Sequence, residues 1–434
     1  GSENTFRGYG RFDTGVIGGL GLRAYLSYAH NETEKWTNGG EQNVEQINFG
    51  FAQPIFGGEL SGYYNHSERR EADFQDLSLA MISRLGYSWD NFAPNWTLAN
   101  LVADIANNRG DTPGPVTNAG AGAVYPAPVQ TVDDAYYDAS GLRDDDLARL
   151  TYDIGFGDNV DFSATVYHHE QEGQGTWFTP YVNPFQFGLG TPGVTSPISV
   201  RTTEYDMVRL GGFADLTVRL GNHTIQGGLW QEHNSFDQQR RYYANTRAAP
   251  RDVMEFMRTP FATQWAFDYE IDTTMFYLQD TWDVSENLTL LAGFKSINVD
   301  NSVVTITNAY VTPVPGSDAD LRGSITSEDN FLPQVGFTYD VTDNTQLFGS
   351  YTENMRAFDL APFNNQSQLA FEAIKARTDP ESSQTLEGGV RWQPAMLGIW
   401  SVVAEYDAYD YPNDRFAAQS GAAQYKKEAA LGLE

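Results

Sequence analysis

The sequence contains no cysteine among its 434 residues, so disulfides, thiolate metal centres and cysteine nucleophiles are excluded. Basic residues are scarce: 27 Lys and Arg stand against 57 Asp and Glu, a formal net charge of −30. A chain this acidic lacks the basic face that a nucleic-acid backbone requires, so no nucleic-acid partner is expected. No window supplies the roughly 20 consecutive apolar residues of a helical membrane span. The longest uncharged stretch, Thr112 to Val132, is broken by Pro113, Pro115, Pro126, Pro128 and three glycines, and reads as a surface loop. The opening residues Gly1, Ser2, Glu3 and Asn4 carry neither the basic nor the apolar part of a signal peptide. These shortages leave a β-barrel open, because a spanning barrel places its lipid-facing residues at alternate positions and has a soluble-looking average hydropathy.

Alternation is what the sequence has in quantity. Val160, Phe162, Ala164 and Val166 interleave with Asp161, Ser163, Thr165 and Tyr167, and Leu288, Leu290, Ala292 and Phe294 interleave with Thr289, Gly293 and Lys295. Leu22, Ala24, Leu26 and Tyr28 repeat the pattern. With aromatic residues at 14%, this predicts an all-β chain. Strands are predicted near 4–14, 22–34, 44–55, 59–69, 146–156, 160–171, 201–219, 223–236, 267–284, 288–300, 329–341, 345–356, 382–393, 399–411 and 424–434, about fifteen in all. Tight turns such as Gly57-Gly58, Gly221-Asn222 and Asp343-Asn344 alternate with long loops near 70–145, 172–200, 237–266, 301–328 and 357–381. Short turns at one end and long loops at the other are the layout of an antiparallel transmembrane β-barrel of the outer-membrane type. Tyr63, Tyr64, Tyr167, Trp230, Tyr277, Trp282, Tyr339, Tyr351, Trp392 and Trp400 are expected to form its interfacial girdles.

Three stretches carry a resemblance. Pro333-Gln334-Val335-Gly336 leads through an Asp343-Asn344 turn to a strand ending at Tyr351. Asp379-Pro380-Glu381-Ser382 is followed by Glu387-Gly388-Gly389-Val390-Arg391. Tyr277-Leu278-Gln279-Asp280-Thr281-Trp282 leads through Glu286-Asn287 to Gly293. Together with Arg11 to Gly15 and Ser27-Tyr28 to Lys35-Trp36, which look like an early barrel hairpin, they resemble the TonB-dependent outer-membrane receptors. That resemblance implies a 22-stranded barrel closed by an N-terminal plug, a Gram-negative outer-membrane location and energy delivered by the TonB complex. Residues 1–434 would then be a barrel portion, with about fifteen strands of a likely 22, lacking the plug and some six later strands.

Candidate chemistry is concentrated in the loops. Gly188, Gly190 and Gly193 spell a dinucleotide fingerprint, but Pro192 and the neighbouring Pro184, Phe185 and Phe187 make a turn-rich loop with no helix to present a phosphate. His168 and His169 are adjacent on a strand and point to opposite faces, so they cannot converge on a metal. Asp144 to Asp146, after Asp133, Asp134 and Asp138, read as a solvated acidic loop. No metal, no cofactor and no enzymatic activity are expected. Arg240, Arg241, Tyr242 and Tyr243, followed by Arg247, Arg251 and Arg258, place five arginines in 19 residues of a very acidic chain. Guanidinium forks beside tyrosine suit carboxylate, catecholate or phosphate, and Trp177, Phe178, Tyr181, Phe185 and Phe187 offer rings to clasp a planar ligand, joined by Tyr136 and Tyr137. Lipopolysaccharide phosphate or acidic loops would pair with the same arginines. Asn354-Met355-Arg356-Ala357-Phe358 lacks the following motif and the histidine that haem receptors of the family carry. The expected function is import of a scarce nutrient, a ferric siderophore-type complex, with a passive 16-stranded porin or a secreted glycan-binding protein as alternatives.

Overall fold

Alternating residues form fifteen strands in one antiparallel sheet, in a computed structural model that describes residues 2–37, 39–308, 321–357, 368–376, 379–393, 400–411 and 426–433. In chain order they are β1 (Phe6–Asp13), β2 (Arg23–Glu34), β3 (Glu41–Ile55), β4 (Gly58–Ala72), β5 (Ala139–Phe156), β6 (Val160–Thr179), β7 (Thr195–Leu220) and β8 (His223–Thr246). There follow β9 (Ala262–Ser285), β10 (Leu288–Asn308), β11 (Arg322–Thr342), β12 (Thr345–Arg356), β13 (Glu381–Trp392), β14 (Trp400–Tyr411) and β15 (Lys426–Leu433). Each strand pairs with its neighbours in sequence, the up-and-down order of an outer-membrane barrel wall.

The two faces separate by chemistry. Phe49, Leu150, Val166, Leu216, Leu229, Phe276, Val335, Phe337, Leu347 and Val390 share one face, held in register by the direct pairs Leu150 with Val166 and Leu229 with Phe276. Val166 is 61% exposed, an apolar side chain that lipid rather than water must cover. The opposite face is polar: Tyr63 and Asn65 both donate to Asn48 Oδ1, at 2.7 and 2.8 Å, and the Thr151 and Thr165 hydroxyls lie 2.8 Å apart. This is the lumen side. Tyr64, Trp282, Tyr339, Tyr351 and Trp392 share the lipid face, but Tyr63, Tyr167, Trp230 and Tyr277 lie on the lumen face and are no part of a girdle. The Tyr167 hydroxyl donates to Glu232, and Tyr277 donates to Asp215, so polar partners hold these rings on the wet side. The side chain of Trp400 lies outside the described residues.

Toward the long-loop end the outward face changes character. Glu45, Glu68, Asp144, Glu172, Asp206, Asp237 and Asp268 stand directly opposite one another across β3 to β9, seven carboxylates in one row. Like charges directly opposite repel, and such a row does not fit hydrocarbon. Burial first, and then the facing carboxylates, hold Asp206 and Asp237 above the usual carboxylate range. The strands therefore run past the bilayer. This corrects three expectations: Asp144 to Asp146 belong to β5, Trp177 and Phe178 to β6, and Arg240 to Tyr243 to β8. The loops predicted near 172–200 and 237–266 shrink to 180–194 and 247–261. Of those predicted near 301–328 and 357–381, residues 309–320, 358–367 and 377–378 lie outside the described residues.

The connection between β4 and β5 spans 73–138 and carries two helices, α1 (Leu79–Leu85) and α2 (Trp96–Arg109). Asn95 caps α2 by accepting from the Leu98 amide at 3.1 Å, and Gly110 closes it at φ +76°. A third helix, α3 (Gln368–Lys375), brings Phe371 onto Trp265, Phe267, Tyr269, Val303 and Ile325 at the lumen face of β9 to β11.

Candidate ligand site at the long-loop end of the lumen

Three adjacent rows of the lumen face build the site. Trp177 pairs with Arg201 and Arg201 with Tyr242. One row down, Gly141, Gly175, Thr203, Arg240 and Trp265 stand in line. Next come Arg69, Arg143, Gly173, Tyr205, Gln238 and Phe267. A Cβ at Gly173 would stand 2.1 Å from the Tyr205 ring, so only glycine lets that ring lie flat on the wall. At Gly141 nothing lies within 4 Å, and at Gly175 only the Thr203 carbonyl does, at 3.8 Å. The result is an open floor between arginines.

Those arginines rest on rings and hydroxyls. The Arg201 guanidinium lies 4.4 Å from the Trp177 ring centre, and that of Arg240 5.2 Å from Trp265. Arg143 Nε donates to the Tyr205 hydroxyl at 2.8 Å, and Arg240 donates to Thr203 Oγ1 at 3.2 Å. Arg143 and Arg240 form no ion pair among the described residues, and Arg69 faces Arg143 directly. Phe236 leans on Tyr205 at 6.1 Å, extending the aromatic wall. Forked cations over aromatic platforms around an empty floor can hold a planar oxygen-rich anion by paired, charge-assisted hydrogen bonds.

Adjacent strand residues point to opposite faces, which splits the predicted Arg240 to Tyr243 cluster. Arg240 and Tyr242 face the lumen, where Tyr242 is buried and donates to Gln264 Oε1 at 2.6 Å. Arg241 and Tyr243 face outward and both bind the buried Glu204, Tyr243 at 2.7 Å. Burial, and then Glu204, raise the Tyr243 hydroxyl well above its ordinary pKa. Arg247 forks onto the buried Asp104 of α2 with two bonds of 2.7 Å. Arg251 donates to the Ala244 carbonyl at 2.9 Å, and Arg258 pairs with Glu172 at 3.1 Å. Phe178 is fully buried among Trp96, Tyr137 and Val200. Tyr181 and Tyr136 both donate to Asp133 at 2.7 Å, and burial followed by that carboxylate raises both hydroxyls. Arg241, Tyr242 and Tyr243 thus tie strand to strand, and Arg247, Arg251, Arg258, Phe178 and Tyr181 hold the connections in place, while Arg240 and Trp177 remain on the open lumen wall. The expectation missed Arg143, Arg201, Tyr205, Phe236 and Trp265; the signal available was Gly173 and Gly175 spaced two apart, an open stripe on one strand face.

Ion pairs also fix the 73–138 connection. Lys35 and Asp90 meet at 2.7 Å with both side chains almost fully buried. Burial opposes ionisation of Asp134, but the Arg84 fork and the amides of Gln130 and Thr131 outweigh it and hold the carboxyl below its usual range. His169 turns to Asp145 on the lumen side at 3.0 Å and His168 to Glu170 on the outward side at 3.5 Å. Among the described residues there is no group of three or more metal-ligating side chains.

An up-and-down strand wall with an apolar outer band, a polar inner face and an arginine-aromatic patch beneath long loops is the layout of an outer-membrane receptor barrel. Residues 73–413 match the family model described as TonB dependent receptor-like, beta-barrel, and the chain belongs to that family. Its location is the Gram-negative outer membrane. Solved structures with the same fold include the ferric-catecholate import receptor Fiu of E. coli K12, at 13% identity and TM-score 0.61, covering 100% of this chain and 60% of that one. The ferric citrate transporter FecA matches at 11% identity and TM-score 0.63, over 100% of this chain and 53% of that one. The siderophore receptor PiuA of Acinetobacter baumannii matches at 14% identity and TM-score 0.59, over 95% and 56%. The chain therefore spans between half and three-fifths of the length of these receptors. No curated protein sequence matches it.

Proposed function

We propose that the protein takes part in importing an anionic metal chelate of the ferric siderophore type, captured on the lumen wall by Arg143, Arg201 and Arg240. The observation that carries this reading is the glycine floor at Gly141 and Gly175, ringed by guanidiniums on a chain of net charge −30. A catecholate or citrate complex offers planar oxygen arrays that match guanidinium forks, and Trp177, Tyr205 and Trp265 supply faces for its rings. In this reading the protein binds and passes its ligand without catalysis. Inner-membrane energy arrives through the TonB protein, and lipopolysaccharide surrounds the outward carboxylate row. Neither the passive porin nor the soluble glycan-binding protein has an observation in its favour.

The test is binding of ferric citrate and of the ferric complex of 2,3-dihydroxybenzoate to the detergent-extracted full-length receptor. Arg240→Ala and Arg143→Ala should each weaken one of the two chelates by about tenfold or more. Unchanged affinity in both variants, or preference for an uncharged glycan, would overturn the reading.

A further inference from the structure

At the opposite end of the same lumen, under the tight turns, the wall forms a cavity of about 460 Å³. Arg11, Arg23 and Arg149 reach it from three strands, together with Tyr25, Tyr63 and Gly50. Arg11 lies 3.9 Å from the Tyr25 ring centre and Arg149 5.4 Å from that of Tyr63. A Cβ at Gly50 would stand 2.3 Å from the Tyr25 ring, so the ring lies flat and leaves the space above it open. Two of the three cations are neutralised: Arg11 by Asp13 at 2.7 Å, and Arg23 by both oxygens of Glu59 at 2.8 and 2.9 Å. Arg149 is exposed on the lumen face, stacks on Tyr63, and makes no ion pair among the described residues. The cavity therefore carries one uncompensated positive charge over a tyrosine floor.

We propose that this cavity is a second anion site, which takes a carboxylate carried on a planar or apolar body. The guanidinium of Arg149 supplies a fork for both carboxylate oxygens, and the Tyr25 and Tyr63 rings supply the faces. A cavity of this size falls within the range of small-molecule sites. The carboxylate belongs either to a free small anion on its way out of the barrel or to an acidic side chain of polypeptide seated in the lumen. Both sources use the same chemistry, and the site is independent of the capture site at the long-loop end.

Benzoate titrated into the detergent-solubilised full-length receptor, followed by calorimetry, separates them, with cyclohexylamine as the cationic control. For a free anion, one equivalent of benzoate binds, Arg149→Gln weakens it about tenfold, Arg149→Lys restores part of it, and the ligand-free Tm is unchanged. For a resident acidic side chain, benzoate finds no Arg149-dependent site, yet Arg149→Gln lowers the ligand-free Tm and Arg149→Lys recovers it. Absence of an Arg149-dependent benzoate site together with an unchanged Tm in Arg149→Gln, or equal binding of cyclohexylamine, would overturn the proposal.

Discussion

The lower and upper halves of one strand follow different rules. On β8 the outward residues pass from Leu229, in the apolar band, to Asp237, in the carboxylate row, eight positions further along the same face. Below, lipid on one side and a wet lumen on the other demand alternation. Above, water reaches both sides, so either face accepts polar residues and the burial that remains comes from loops and helices folded back on the strands.

Placing an arginine at each of these two positions sharpens the contrast most. Leu229→Arg should cost about 3 kcal/mol, because the cation must enter hydrocarbon, whereas Asp237→Arg sets a cation between the facing Asp206 and Asp268 and should stabilise by about 1 kcal/mol at low salt. Denaturant unfolding in lipid vesicles measures both; equal costs would erase the boundary.

The next effect is pH-dependent and belongs to the upper half alone. Asp138, at the foot of β5, is pushed up to about 6 chiefly by burial, against the Ala139 amide and Lys35, with Asp90 adding to the rise. A carboxyl with a raised folded pKa binds its proton more tightly when folded, so it destabilises the fold as pH rises from about 4 to about 6 and then levels off. Asp138→Asn keeps an acceptor for the Ala139 amide and removes the charge. It should stabilise the 73–138 connection by about 2 kcal/mol at pH 7, with no gain below about pH 4. Hydrogen exchange of α2 across that window is the measurement, and a pH-independent gain would contradict the assignment.

The smallest effect tests the carboxylate row itself. Asp206→Asn relieves facing charges on β6 and β8 and should stabilise by about 0.5 kcal/mol at low salt, fading as ionic strength rises. A salt-independent change would mean that the row does not act through charge.

The same contrast explains what the sequence made legible. All fifteen strand positions were visible, because the membrane-embedded portions keep strict alternation between turn residues such as Gly221-Asn222 and Asp343-Asn344. The extensions were hidden because Glu172, Asp206 and Asp237 occupy the face that lipid had marked as apolar lower down. Helix α2 was hidden for a related reason: Asn100, Asp104 and Asn107 are buried beside Val102 and Ile105, so no apolar stripe appears, although Asn95 and Gly110 mark its two ends. At the candidate site, Arg240 and Trp177 could be read from composition. Their lumen partners could not, since Arg143, Tyr205 and Trp265 come from three other strands and meet only through register.

The neighbour-only pairing order also shapes how the sheet assembles. Successive hairpins close over connections as short as the two residues 56–57 or 221–222, so each new strand finds its partner locally. The 66 residues of 73–138 are the exception, and closing them costs about 3 kcal/mol more chain entropy than closing two. The seam between β4 and β5 is therefore expected to be the slowest of these hairpins to close. The Lys35–Asp90 and Arg84–Asp134 pairs, which fasten this excursion across large sequence distances, are positioned to shorten that search by folding it before the strands zip.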